Sequence, residues 1–145
     1  MLKEIEKHRK FVIVFVLIIA MEIFLVSSIP GSAISAGFDF SAFYHFLAFF
    51  LLNLFILIYV LDRENGIGKK LLLVLLISTV YAALDELHQF FVPLRTPDIA
   101  DFLMDSTGIF LSTLVYKYYY KKNNQRVFDY ANFPSNPSFF FRGIM

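Results

Sequence analysis

Hydrophobic residues run through this chain in four long blocks, separated by short polar interruptions. Phe11–Ile29 is broken by Glu22 and two serines. Ala42–Leu61 contains His45 and Asn53, Leu71–Leu87 ends on acidic residues, and Ile99–Tyr119 carries Asp101 and Asp105 near its start. Each block is long enough for a helix to cross a bilayer, which takes roughly 20 apolar residues. The pattern predicts an all-α, integral membrane four-helix bundle. Four such blocks exceed what one small soluble core needs. The first also exceeds the apolar core of a signal peptide, and Ser27-Ser28-Ile29-Pro30 is a poor cleavage site.

The interruptions are short, so consecutive helices are expected to pack as antiparallel neighbours. Pro30-Gly31-Ser32 ends the first block, because proline cannot continue a helix. Asp62-Arg63-Glu64-Asn65-Gly66-Ile67-Gly68 reads as a turn, and Pro93 and Pro97 stiffen the connection around Arg95. Residues 1–120 form the membrane domain. Residues 121–145 read as a poorly ordered cytoplasmic tail, with Phe139-Phe140-Phe141 placed to dip into the interface.

Charge orients the bundle. Lys and Arg accumulate on the cytoplasmic side of membrane proteins. Of 13 such residues, all but Arg95 fall before block one, between blocks two and three, or from Lys117 at the end of block four onward. Both termini are thus expected in the cytoplasm. The connections near Pro30–Ser41 and His88–Asp98 are then expected outside, where Glu22, Asp39, Asp85, Glu86, Asp98, Asp101 and Asp105 also gather.

Composition narrows the class. The 145 residues are 58% hydrophobic and 17% charged, more apolar and less charged than a typical globular domain. A net charge of +1 argues against a nucleic-acid partner. Zero cysteines exclude disulfides and thiolate metal sites.

The charge is densest in Tyr81–Gly108, YAALDELHQFFVPLRTPDIADFLMDSTG. At about 100° per residue, Asp85, His88 and Gln89 share a helix face and Glu86 sits at its edge. Asp101, Asp105, Gly108 and Ser112 follow i, i+4, i+7, i+11. Such a small-and-polar stripe faces protein in a membrane, since small residues let helices approach and carboxylates avoid lipid. Two acidic faces are expected to meet as a polar rim near the outer surface, with His45 positioned to join. Asp105 lies a turn deeper than Asp101, which makes it a functional candidate by default. Arg95 is a candidate clamp, bidentate to Asp85 or Asp101. Glu22 has Asn53 and His45 as candidate partners. Asp85, Glu86, His88, Asp101 and Asp105 are oxygen and nitrogen donors suited to a divalent cation. No cofactor is expected beyond that.

Asp85-Glu86-x-x-Gln89-x-Phe91-x-Pro93-x-Arg95, followed by Asp101 and Gly108, resembles the pattern of the VanZ-like membrane protein family, D-E-x-x-Q-x-F-x-P-x-R. Ser27-Ser28-x-Pro30 and His45-Phe46 are similar to the end of that family's first helix and the start of its second. The resemblance covers about 11–119. The family's Asp-Lys before the histidine is replaced by Ser41 and Ala42, and its asparagine by Asp105. The resemblance implies a multi-pass protein of the bacterial plasma membrane. It also implies a connection to teicoplanin resistance, hence to antibiotic resistance and the cell envelope. Three functions follow as hypotheses. One is a binding protein for an amphiphile at the outer leaflet: a lipid-linked cell-wall precursor, a lipid head group or a lipoglycopeptide such as teicoplanin. The functional residues would be His45, Asp85, Glu86, Gln89, Arg95, Asp101 and Asp105. The second is an integral-membrane, metal-dependent lipid hydrolase or transferase, although no nucleophile elbow, HExxH or phosphate loop occurs. The third is a small transporter using Glu22 and Asp105.

Overall fold

A computed structural model describes the backbone of residues 2–31, 40–61 and 67–132, and side chains within 9–31, 42–61 and 67–122. Most of both connections expected at 30–41 and 62–68 lies outside these ranges, as do residues 133–145 of the tail. The elements are α1 (Leu2–Ser27), α2 (Phe40–Leu61), α3 (Gly68–Gln89) and α4 (Ile99–Asn132). All four are long and apolar enough to cross a membrane.

Helix boundaries follow local chemistry more closely than hydropathy. α1 begins nine residues before the apolar block, because Leu2–Lys10 holds good helix formers and neither glycine nor proline. Its last turn tightens through Ile29 N–H donating to Val26 O at 3.1 Å, and Pro30 then stops it. α4 continues to Asn132, well past the expected end at Tyr119. The polar stretch after Tyr119 lowers hydropathy without breaking a helix, and the first proline is Pro134. The start of the expected disordered tail is therefore helical.

The helices alternate in direction. Arg9, near the start of α1, stacks over Tyr59 near the end of α2 at 4.9 Å. Ser27, at the end of α1, meets Asp85 near the end of α3. Tyr81 Oη donates to Ala20 O at 2.7 Å, tying α3 to α1. α2 is the central helix, touching the other three. The most extensive interface is α2 with α4, not a pair joined by a short connection. Gly108 explains it: a Cβ there would collide with the Phe46 carbonyl, so only glycine lets the two backbones approach.

Two apolar clusters stabilise the bundle. Ile19, Ile23, Phe49, Leu52, Ala82 and Ile109 pack toward the α1 C-terminal end, and Leu57, Leu61 and Val74 toward the other. Outward positions such as Leu17, Leu72 and Phe110 are more than half exposed. That is the distribution expected when the surrounding solvent is hydrocarbon.

Between the apolar clusters lies a polar node. Asn53 Nδ2 donates to Ile109 O (3.0 Å), Ser112 Oγ (2.7 Å) and Thr113 Oγ1 (3.0 Å). Asn53 Oδ1 accepts from Ser78 Oγ at 2.8 Å. The hydroxyls of Ser112 and Thr113 donate to Ile109 O, both at 2.9 Å, which leaves their oxygens free to accept. The two Asn53 N–H protons are shared among these three acceptors, and the network joins α2, α3 and α4.

Candidate functional site

A second polar cluster lies at the end of the bundle where α1 and α3 finish and α2 and α4 begin. All four helices contribute. On α3, Asp85 and Gln89 are one turn apart and Glu86 stands beside them, so one face carries two carboxylates and an amide. Ser27 of α1 donates its hydroxyl to Asp85 Oδ2 at 2.8 Å. Gln89 Nε2 donates to Asp85 Oδ2 (3.2 Å) and Glu86 Oε1 (3.4 Å). The backbone N–H of Asp98 donates to Glu86 Oε2 at 3.0 Å. From α2, His45 Nδ1 lies 3.3 Å from Asp105 Oδ1 on α4 and 4.0 Å from Asp85 Oδ2.

This cluster is interior. Ser27 and Asp105 are 0% exposed and His45 and Gln89 1%, with Asp85 and Glu86 also buried. The polar rim expected near the outer surface is buried at Asp85, Glu86 and Asp105, where the α2–α4 approach at Gly108 draws the neighbouring Asp105 inside. Asp101, one turn before Asp105, is half-buried. The cluster therefore grades from fully buried to partly exposed along α4.

Its bonding is incomplete. The 3.3 Å contact of His45 with Asp105 is an ion-pair distance without hydrogen-bond alignment. His45 Nδ1 and Nε2 and both Asp105 oxygens are buried with no hydrogen-bond partner. An unmet buried polar group costs about 1–3 kcal/mol. Such groups in a folded protein call for a reason, and a ligand, a water or an ion is the usual one.

Two expected members lie elsewhere. Among the described residues, Arg95 clamps neither Asp85 nor Asp101. Its Nη2 donates to Val26 O (3.3 Å) and its Nε to Ile29 O (3.4 Å). These carbonyls lie where α1 ends, at the negative end of the helix dipole, and a guanidinium suits them, although Val26 O also accepts from Ile29 N–H. Leu94, with φ 58°, turns the connecting loop. Gly31 lets that loop press against α1, since a Cβ there would strike the Leu94 carbonyl. His88 also faces α1. Ser28 Oγ spends its proton on Phe24 O at 2.6 Å, so His88 Nε2, 2.9 Å away, is the donor to Ser28 Oγ. The His88 ring lies 4.7 Å from that of Phe24. Among the described residues, no three acids or imidazoles come together as a metal-ligand set. Glu22 meets neither Asn53 nor His45. It is exposed on the flank of α1, about 60° round from buried Ile19 at 100° per residue.

The VanZ/LLP1 family model matches residues 11–120, well over half of the chain and all of the cluster. The chain belongs to the VanZ/LLP1 family. Membership together with four spanning-length helices fits a multi-pass membrane protein of VanZ type. No curated protein and no solved structure matches the chain. Within this VanZ/LLP1 fold, the motif acids Asp85 and Glu86 and the motif glutamine Gln89 form one half of the cluster. His45 and Asp105 form the other.

Sequence reasoning missed Ser27 as a cluster member, although the Ser-Ser-x-Pro match pointed at it. The Asn53 node was also missed. Its signal was present: an asparagine inside one apolar block, and Ser112 and Thr113 inside another.

Proposed function

We propose that this VanZ/LLP1 protein binds the polar head of an amphiphile at the outer leaflet, without transforming it. The observation that supports this most is the unfinished bonding of His45 and Asp105 inside a cluster built by all four helices. Carboxylates accept hydrogen bonds from sugar hydroxyls and amines, and a buried one does so with little competition from water. The distribution of Lys and Arg supports placing this end outside. There it would meet a lipid-linked cell-wall precursor, a lipid head group or a lipoglycopeptide such as teicoplanin. Half-buried Asp101 and the edge of Glu86 form the approach. Arg95 serves the site indirectly, by holding α1 and therefore Ser27 in place.

The test is retention of teicoplanin and of a lipid-linked wall precursor by the purified chain, read by native mass spectrometry. Asp105→Asn is expected to weaken retention about tenfold, the scale of one charge-assisted hydrogen bond. Unchanged retention by a folded, membrane-inserted Asp105→Asn protein would overturn the reading.

One observation favours an enzyme as the second reading. His45 beside Asp105 has the arrangement of a general base and the carboxylate that orients it. A lipid hydrolase or transferase would then lose turnover in His45→Gln while keeping its substrate bound. A binding protein shows no turnover to lose.

A further inference from the structure

The loop joining α3 to α4 has two unlike sides. Its inward side is polar and fastened. Asp98 N–H donates to Glu86 Oε2, Gly31 N–H donates to Pro93 O at 3.2 Å, and Arg95 donates to the carbonyls ending α1. Val92 is buried, and its N–H donates to Gln89 O at 3.0 Å. The outward side is apolar. Phe90 is 66% exposed, Phe91 73% and Leu94 78%. Leu94 also holds φ 58°, a conformation that L side chains rarely adopt. The strained residue is thus one of those turned outward.

Two observations point to what covers this side. The first is continuity. Leu73, Ile77, Val80, Leu84 and Leu87 are spaced alternately four and three residues apart, and each is at least half exposed. Together they form an apolar face that α3 turns to lipid. Phe91 is the next position at that spacing, so the loop prolongs the face. The second is the backbone. The N–H groups of Phe90, Phe91 and Val92 donate back to the carbonyls of Glu86, His88 and Gln89, and Pro93 has no N–H. Water would satisfy open donors in an exposed turn, whereas an apolar layer requires them to be closed within the chain.

We propose that the outward side of this loop lies among acyl chains just beneath the lipid head groups, with Phe90, Phe91 and Leu94 as its anchors. The partner is the leaflet at this end of the bundle. The contact is apolar, so it selects acyl chains and no particular head group. The loop covers Glu86 and Gln89, so a polar head would reach the buried cluster from within the leaflet. That consequence alone rests on the binding role proposed above.

The chain contains no tryptophan, so a single introduced Trp reports its own depth. The test reconstitutes full-length Phe91→Trp and Leu84→Trp in phosphatidylcholine vesicles brominated near the head-group end or near the methyl end of the acyl chains. Aqueous iodide is the opposing quencher. Emission of Phe91→Trp is expected to fall about twofold with bromine near the head-group end and to resist iodide, as for a ring about 5–10 Å into the head-group and acyl boundary. Leu84 lies about 10 Å deeper along α3, so Leu84→Trp is expected to respond more to bromine near the methyl end. Iodide quenching of Phe91→Trp as strong as that of dissolved N-acetyl-tryptophanamide overturns the proposal and puts the loop in water. Shielding from both quenchers also overturns it and assigns the patch to protein, whether a second copy or another segment of this chain. Carbene labelling of the wild-type chain, from a diazirine near the head-group end of an acyl chain, decides if a variant fails to fold. Adducts on Phe90–Leu94 are expected, and their absence overturns the proposal. Asp105→Asn is expected to leave this labelling unchanged, so failure here leaves the reading of the buried cluster standing.

Discussion

Two polar clusters are buried in this bundle, and they are bonded to opposite degrees. Around Asn53 the amide and the hydroxyls of Ser78, Ser112 and Thr113 all have partners. Around His45 and Asp105 four nitrogen and oxygen atoms have no hydrogen-bond partner, though two of them face each other at ion-pair distance. Both clusters recruit several helices, and both are nearly inaccessible. The difference teaches what each is for. A closed network in a membrane holds helices together, at about 0.6 kcal/mol per bond on average. An open one forgoes that stabilisation, which supports the proposed binding role.

The comparison breaks most completely at Gly108, which lies between the two. Gly108→Val places side-chain atoms into the Phe46 carbonyl. The expected loss is several kcal/mol, enough to abolish the folded bundle, because overpacking is added to the loss of both clusters. Size-exclusion profiles and thermal unfolding in detergent check this. Retention of a wild-type melting curve would mean that α2 and α4 do not pack through this glycine.

Asn53→Leu strikes the closed cluster alone. It removes four contacts and strands the Ser78 hydroxyl, at a cost of about 2 kcal/mol. Amphiphile retention at the buried cluster is expected to be unaffected once folding is allowed for. Equilibrium unfolding in a denaturing detergent measures the first, and native mass spectrometry the second.

Arg95→Ala tests the support beneath the open cluster. Its two bonds are long and go to carbonyls that other donors can reach, so a loss of about 1 kcal/mol is expected. Hydrogen exchange is expected to quicken at Ser28–Gly31 and not in α3. A loss of binding larger than the loss of stability would return Arg95 to direct ligand contact.

The smallest effect on stability is expected where the effect on function is largest. His45→Gln with Asp105→Asn removes both titratable groups and keeps volume. Replacing a buried ion pair as a unit is often neutral, so stability is expected to stay within about 1 kcal/mol of wild type. Retention of teicoplanin or a wall precursor is expected to fall about tenfold. A large loss of stability with unchanged retention would make this cluster a structural one like that of Asn53, and the contrast would vanish.

Much of this was legible in the chain. Helical class and four spans follow from hydropathy alone, since hydrocarbon leaves backbone groups no partner except each other. The stripe through Asp105, Gly108 and Ser112 correctly marked a face turned to protein. The helix ends were read less well. Hydropathy reports where a helix leaves lipid, whereas glycine and proline report where it stops, and α4 shows the two need not coincide. The partner of Arg95 was not legible at all. A guanidinium among carboxylates suggests a salt bridge, but the carbonyls ending α1 carry no signal in side-chain identity.

The sequence by itself determined the solvent the protein lives in, the number of helices and which residue types gather at one end. Composition and period suffice for that, because each is a property of a segment and its surroundings. Only the tertiary structure decided that Asp85, Glu86 and Asp105 are buried, that Asn53 is closed and His45 open, and that Glu22 is exposed. Those outcomes depend on how helices rotate about their axes and which pairs approach closest. Here the Gly108 contact with Phe46 set that approach, a relation between residues far apart in the chain.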